Sequence, residues 1–167
     1  MTAQIRIGNG YDVHAFEPGD HIVLGGVHIP FDSAFKAHSD GDVLIHSLCD
    51  ALLGALALGD IGQHFPDTEK QYQGINSRQL LQQVMLLIHG KGYALVNCDC
   101  IIVAQEPKLS SFLSQMRHNL GNDMRVEIER ISIKATTTEW LGFEGRGEGI
   151  AVHSVVLLQQ QEDLLSP

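Results

Sequence analysis

Basic residues are scarce in this chain of 167. Eleven Lys and Arg stand against 20 Asp and Glu, a formal charge of −9. No basic cluster offsets that balance, which argues against nucleic acid or an anionic membrane surface as partners. Cysteine is equally sparse, with three residues at Cys49, Cys98 and Cys100 and no Cys-x-x-Cys. An odd count with that spacing is no disulfide framework and points to a reducing cytoplasm. No apolar run is long enough to cross a bilayer, and the stretch Met1 to Arg6 lacks the core of a signal peptide. Internal repeats and linkers are absent too.

What remains is globular composition, 44% hydrophobic and 19% charged, in a length that suits one domain over residues 1–167. Ile5 and Ile7 alternate into Gly8-Asn9-Gly10, which reads as a strand entering a tight or bulged turn. Ile22 to Ile29 around Gly25-Gly26 has a hairpin signature. Ser39-Asp40-Gly41-Asp42 reads as a capped helix start, with Ser39 as cap and Asp42 reaching back. The helix that follows, Val43 to about Leu58, is apolar on nearly all sides and should be buried.

Asp60 to Asn76 lacks periodicity and reads as a long loop, the kind that usually carries function. Ser77 to His89 predicts an amphipathic helix, Ala94 to Gln105 a strand and Ser111 to Leu120 a third helix. Ile131 to Lys134 predicts a strand ending in a short turn at Thr136 to Glu139, and Ile150 to Leu158 a last strand. Mixed elements of this kind imply an α/β or α+β sandwich, with one mixed β-sheet packed against helices.

The chemistry concentrates in two stretches. In an extended segment Asp12 and His14 point to one face, and on the next helix Asp42, His46 and Asp50 share one stripe. Polar groups on an apolar helix must be paired or must line a site. Asp12, His14 and His46 suit a zinc-type cation, with Asp42 or Asp50 free to orient an imidazole. For Asp42, and likewise Asp40, the helix-start cap is the preferred reading.

His38-Ser39 would sit at a helix N-terminus, where backbone N–H groups bind phosphate. Thr136-Thr137-Thr138-Glu139 offers hydroxyls for phosphate oxygens and a carboxylate for a harder ion such as Mg²⁺. Phe65 to Glu69 reads as a Pro-Asp turn. Gly145-Arg146-Gly147-Glu148-Gly149 reads as a turn or as a guanidinium set against a phosphate. Cys98 and Cys100 read as half-buried strand residues, and the histidines at 21, 28, 64, 89, 118 and 153 as surface or filler.

Taken in order, Gly10-Tyr11-Asp12-Val13-His14, His38 to His46, Asp50 to Ala55, Gly59 to Gly62, Phe65 to Thr68, Lys134 to Glu139 and Gly145 to Gly149 resemble the 2-C-methyl-D-erythritol 2,4-cyclodiphosphate synthase family. The match runs from about residue 5 to residue 158. The resemblance implies closure of 4-diphosphocytidyl-2-C-methyl-D-erythritol 2-phosphate to the cyclodiphosphate with loss of CMP. It implies Zn²⁺, or a similar divalent transition metal, on Asp12, His14 and His46, and Mg²⁺ or Mn²⁺ on Glu139. His38 and Thr137 would stabilise the transition state. Ser39, Asp60, Ile61, Gly62, Phe65, Pro66, Asp67, Thr68 and Glu69 would meet the methylerythritol part. Ala104, Pro107, Lys108, Leu109 and Thr136 would form a cytidine pocket.

Phe143 and Arg146 complete the implied binding set, with Arg146 facing a central cavity able to hold an isoprenoid diphosphate. The family assembles as a homotrimer with sites between subunits. One departure is Asn9, where the family often has His. Two other readings share these residues: a phosphohydrolase using metal-bound water, and a trimeric isoprenoid-diphosphate binder without catalysis.

Overall fold

The computed structural model describes residues 4–37, 39–66 and 74–161. The chain begins with β1 (Ile5–Pro18), β2 (His21–Leu24), β3 (Val27–Pro30) and β4 (Ser33–Phe35). Three helices follow, α1 (Val43–Ala55), α2 (Ile61–His64) and α3 (Ser77–Gly90). Then come β5 (Tyr93–Val103), α4 (Leu113–Met124), β6 (Ile131–Thr136), α5 (Gly142–Gly145) and β7 (Gly149–Gln160). One five-stranded sheet runs β4-β1-β7-β5-β6, and β2 pairs with β3 as a separate hairpin. Every pairing is antiparallel except β5 with β6, so the mixed sheet packed against helices is as expected.

Alternation sets the two faces of the sheet. Cys98, Cys100 and Ile102 of β5 and Val152, Val156 and Leu158 of β7 are buried under the helices. A register shift between Leu95 and Asn97 keeps Leu95 on that same face despite its odd number. Both strand cysteines are therefore core residues, not half-buried ones. The opposite face carries Ile5 and Ile7 at 62% and 71% exposure, with Tyr11, Val13 and Val155 also exposed.

Gly8-Asn9-Gly10 forms no turn: β1 runs straight through it. The reason is the helix above. A Cβ on Gly8 would stand 1.8 Å from the Ala51 carbonyl oxygen, and one on Gly10 1.9 Å from that of Ser47. These glycines let α1 lie directly on the strand. The Ser47 hydroxyl, 3.1 Å from the Gly10 carbonyl oxygen and 2.9 Å from Ser154 Oγ, ties helix to sheet inside the core.

At the start of α1 the capping reading of Asp42 holds and that of Ser39 does not: Asp42 is the cap, accepting from Ile45 N at 3.1 Å. The same carboxylate accepts from Gly25 N at 3.0 Å and Gly26 N at 2.7 Å, so it also pins the tip of the β2–β3 hairpin. Three backbone donors occupy Asp42, and it orients no imidazole. The helix stops at Ala55, because Ala57 takes a positive φ of 55°. Within the expected long loop, Asp60 caps the short α2 through Gln63 N at 3.0 Å. The third helix lies two to four residues later than expected, ending where Arg125 turns left-handed.

Gly10→Ala should cost about 3 kcal/mol or more, because the new methyl meets helix backbone rather than a movable side chain. A urea midpoint unchanged from wild type would show that the helix can shift to admit it.

Candidate active site

The seating of α1 on β1 brings its fourth residue, His46, over Asp12 and His14. Asp12 Oδ2 is 3.1 Å from His14 Nε2 and 3.4 Å from His46 Nδ1. One ligand atom from each of the three residues lies within 4.8 Å of the others, the sole such group among the described residues. Two imidazoles and a carboxylate are the donor set of a borderline-soft divalent cation, and three protein ligands leave a position open. The set fits such an ion.

Each imidazole is held from behind. His14 Nδ1 is 3.0 Å from the Gly41 carbonyl oxygen, an acceptor only, so that nitrogen carries a hydrogen, and in the neutral imidazole Nε2 presents a lone pair. His46 Nε2 is 3.0 Å from Ser77 Oγ at the start of α3. Asp40 Oδ2 accepts from Ser77 N at 2.9 Å, and its Oδ1 accepts from the Ser77 hydroxyl.

Asp50, the other residue proposed as an imidazole partner, accepts instead from Ile61 N at 2.9 Å. It fastens α2 to α1 one turn beyond His46. Neither Ser77 nor Gly41 stands out in the sequence. Ser77 is 31 residues from His46, and a serine at a helix start has a commonplace explanation.

The electrostatics follow from the packing. Burial opposes charge on Asp12, yet hydrogen bonds and charge from His14 and His46 outweigh it and hold the carboxyl far below its usual range. Burial likewise opposes charge on His46, and Asp12 outweighs it, raising the imidazole above 6.5. Asp42 behaves otherwise: desolvation exceeds the effect of its three N–H donors and pushes it up to about 6. Asp42 thus caps the α1 N-terminus through Ile45 N. The Ser39 hydroxyl accepts from Gly41 N at 3.2 Å, and His38 lies outside the described residues.

A second cluster forms where the parallel strands β5 and β6 end. Ala104, Pro107, Lys108, Leu109, Thr136 and Thr137 line a cavity of about 220 Å³. Gln105, which the sequence reading passed over, lines it too, and its Oε1 accepts from Trp140 N at 3.3 Å. Glu139 follows on the turn, where its Oε1 accepts from Thr137 Oγ1 at 3.0 Å. Glu139 and Trp140 have positive φ values of 53° and 66°, at roughly 1–2 kcal/mol each for side-chain-bearing residues. Glu139 is thus held in place beside the cavity and apart from the three-ligand group.

The remaining site candidates scatter. Asp60 and Ile61 are engaged in α2 as described, with Gly62 in its first turn and Phe65 and Pro66 just after it. Asp67, Thr68 and Glu69 lie outside the described residues. Phe143 is half-buried in α5. The exposed Arg146 guanidinium forms a two-pronged pair with Glu148, at 2.7 and 3.2 Å.

Fold and site define an α/β protein with a two-histidine, one-carboxylate group that fits a cation and a separate cavity of about 220 Å³. Residues 5–159 match the model of the YgbB family, and the chain belongs to that family. The 2-C-methyl-D-erythritol 2,4-cyclodiphosphate synthase of Thioalkalivibrio sulfidiphilus (strain HL-EbGR7) is 60% identical over 157 residues, spanning 94% of this chain and 98% of its own. Among solved structures, the bifunctional IspDF from Campylobacter jejuni superposes with a TM-score of 0.92 at 46% identity, covering 96% of this chain and 44% of that longer one. IspF of Plasmodium falciparum in complex with CDP gives 0.84 at 36% identity, covering 95% of this chain and 97% of that one.

The two shifts in the three-ligand group have opposite pH signatures. His46 titrates higher when folded, so its pairing contributes stability below 6.5 that is lost as pH rises through the folded value. Asp12 titrates lower when folded, so its share is present above 3.8 and lost on acidification. The metal-free protein should therefore lose stability as pH rises above 6.5, and His46→Gln should flatten that decline. Urea midpoints followed from below that pH upward check this; a flat wild-type profile would rule out the pairing.

Proposed function

We propose that this chain converts 4-diphosphocytidyl-2-C-methyl-D-erythritol 2-phosphate to 2-C-methyl-D-erythritol 2,4-cyclodiphosphate and CMP, a step of the non-mevalonate route to isoprenoid precursors. The observation that carries the reading is the pairing of a cation site with a separate cavity at the same end of the sheet. An oxygen of the 2-phosphate bonds to the β-phosphorus, and the bond from that phosphorus to the CMP oxygen breaks. Nucleophile and leaving group both belong to the substrate. Positioning and charge neutralisation are what the protein must supply.

Asp12, His14 and His46 would hold Zn²⁺ or a similar transition metal, and Glu139 Mg²⁺ or Mn²⁺; bound there, the ions would neutralise phosphate charge. The residues themselves divide the work of orientation. Ala104, Pro107, Lys108, Leu109 and Thr136 take the cytidine. Thr137 donates a hydroxyl near Glu139, with His38 its counterpart at the transition state. Ser39, Asp60, Ile61, Gly62 and the segment from Phe65 to Glu69 take the methylerythritol part. On a chain of charge −9, an anionic substrate needs cations at both phosphates.

The sheet register bears on assembly. Thr136 pairs with Val103, Val103 with Ala151 and Ala151 with Val13, one row across four strands. Three strand spacings put the cavity roughly 14 Å from the cation site of the same chain. That separation, and an exposed apolar sheet face of a kind rarely left to water, support a homotrimer whose sites are completed by a neighbouring chain. Phe143 and Arg146 would belong to the central part of that assembly, where an isoprenoid diphosphate could bind. Three free cysteines suit a cytoplasmic setting.

³¹P NMR of the protein with this substrate should show a cyclic diphosphate beside CMP when Zn²⁺ and Mg²⁺ are present, and neither after chelation. Inorganic phosphate or a linear product would instead identify a phosphohydrolase. Ile7→Asp, on the exposed sheet face, should shift sedimentation from three chain masses to one and cost most of the turnover; an intact trimer would remove that face from the interface.

A further inference from the structure

The hydroxyl of Ser77 is left over by its own helix. Asn76 caps α3, accepting from Arg78 N at 2.9 Å, so Ser77 Oγ has no capping role. It is fully buried and touches two side chains, His46 Nε2 at 3.0 Å and Asp40 Oδ1. Counting hydrogens decides the direction of this chain. A carboxylate only accepts, and a hydroxyl has one hydrogen to give. Ser77 therefore donates to Asp40, which leaves its oxygen lone pair to accept the hydrogen on His46 Nε2. A neutral imidazole has one N–H, so His46 Nδ1 is bare and faces Asp12 at 3.4 Å. His14 reaches the same state through Gly41. With both imidazoles neutral, two lone pairs and a carboxylate converge with no hydrogen between them, an arrangement that a cation satisfies in place of the protons that otherwise bridge to Asp12.

We propose that Ser77 and Asp40 are positioning residues for the cation site: the relay Asp40–Ser77–His46 holds His46 in the tautomer whose Nδ1 can ligate. This rests on the metal reading of Asp12, His14 and His46. Asp40 grips both the N–H and the hydroxyl of Ser77 and also accepts from Asp42 N at 3.3 Å. It thereby links the start of α3 to the segment leading into α1. The outer partners of ligating histidines fix ring orientation and raise ligand basicity, and losing one typically costs about 10- to 100-fold in metal affinity.

Zinc affinity by chelator competition, together with long-range ¹H–¹⁵N spectra of the metal-free imidazoles, tests the relay. At a pH where the imidazole is neutral, wild-type His46 should carry its one hydrogen on Nε2. Ser77→Ala should keep its fold by circular dichroism and bind zinc about 10- to 100-fold more weakly, and Ser77→Thr, which keeps the hydroxyl, should restore binding. Asp40→Asn should also weaken binding, because a carboxamide N–H₂ facing Ser77 Oγ turns the hydroxyl hydrogen toward His46 and moves the imidazole hydrogen to Nδ1. Unchanged affinity in Ser77→Ala, or a wild-type His46 with its hydrogen on Nδ1, would overturn the proposal. A wild type that took up no zinc would overturn the metal reading instead, and the metal-free spectrum would still decide the relay.

Discussion

The close approach of α1 to β1 is the constraint on which the site depends. Where Gly8 and Gly10 expose bare backbone, the helix carbonyls of Ala51 and Ser47 come nearer than any Cβ would permit. That contact fixes the height and rotation of α1 over the sheet. His46 then lies within reach of two side chains, Asp12 and His14, that extend from the same strand two and four residues beyond Gly10. A helix held off by one methyl group would still bury its leucines, but its histidine would no longer meet Asp12. Packing at the glycines and chemistry at Asp12 are consequences of one contact.

Around that contact the acidic residues take separate tasks that only their surroundings distinguish. Asp12 sits between two imidazoles. Asp42, three backbone N–H groups around it, is a structural clasp between hairpin and helix. Asp40 grips Ser77, and Asp50 grips the first turn of α2. Four carboxylates within 40 residues of sequence thus produce one ligand and three braces. In a protein with so little positive charge, these braces lock the backbone around a carboxylate and two imidazoles whose donor set fits a cation.

The family motifs and the three ligand residues were legible because imidazole and carboxylate at that spacing have few other uses on apolar elements. The strand and helix order was legible from alternation and from the apolar helix. The glycines of β1 were misread because a Gly-x-Gly in a strand has the same local signature as a turn; the difference lies in a helix 40 residues away. Asp42 or Asp50 was offered to an imidazole because helical spacing places both on the His46 stripe. Nothing local reveals that the hairpin tip and α2 reach them first.

By itself, the sequence determined the donor chemistry, the polarity of each face and the charge that any ligand must overcome. These are properties of residue type and period, which survive whatever the chain packs against. Only the tertiary structure decided that Ser77 stands behind His46 and that Gly41 stands behind His14. It also decided that the cavity at Ala104 and Thr136 lies a sheet's breadth from the cation site on its own chain. Those are distances between segments remote in sequence, set by how α1, α3 and the strands pack, and no local pattern encodes them.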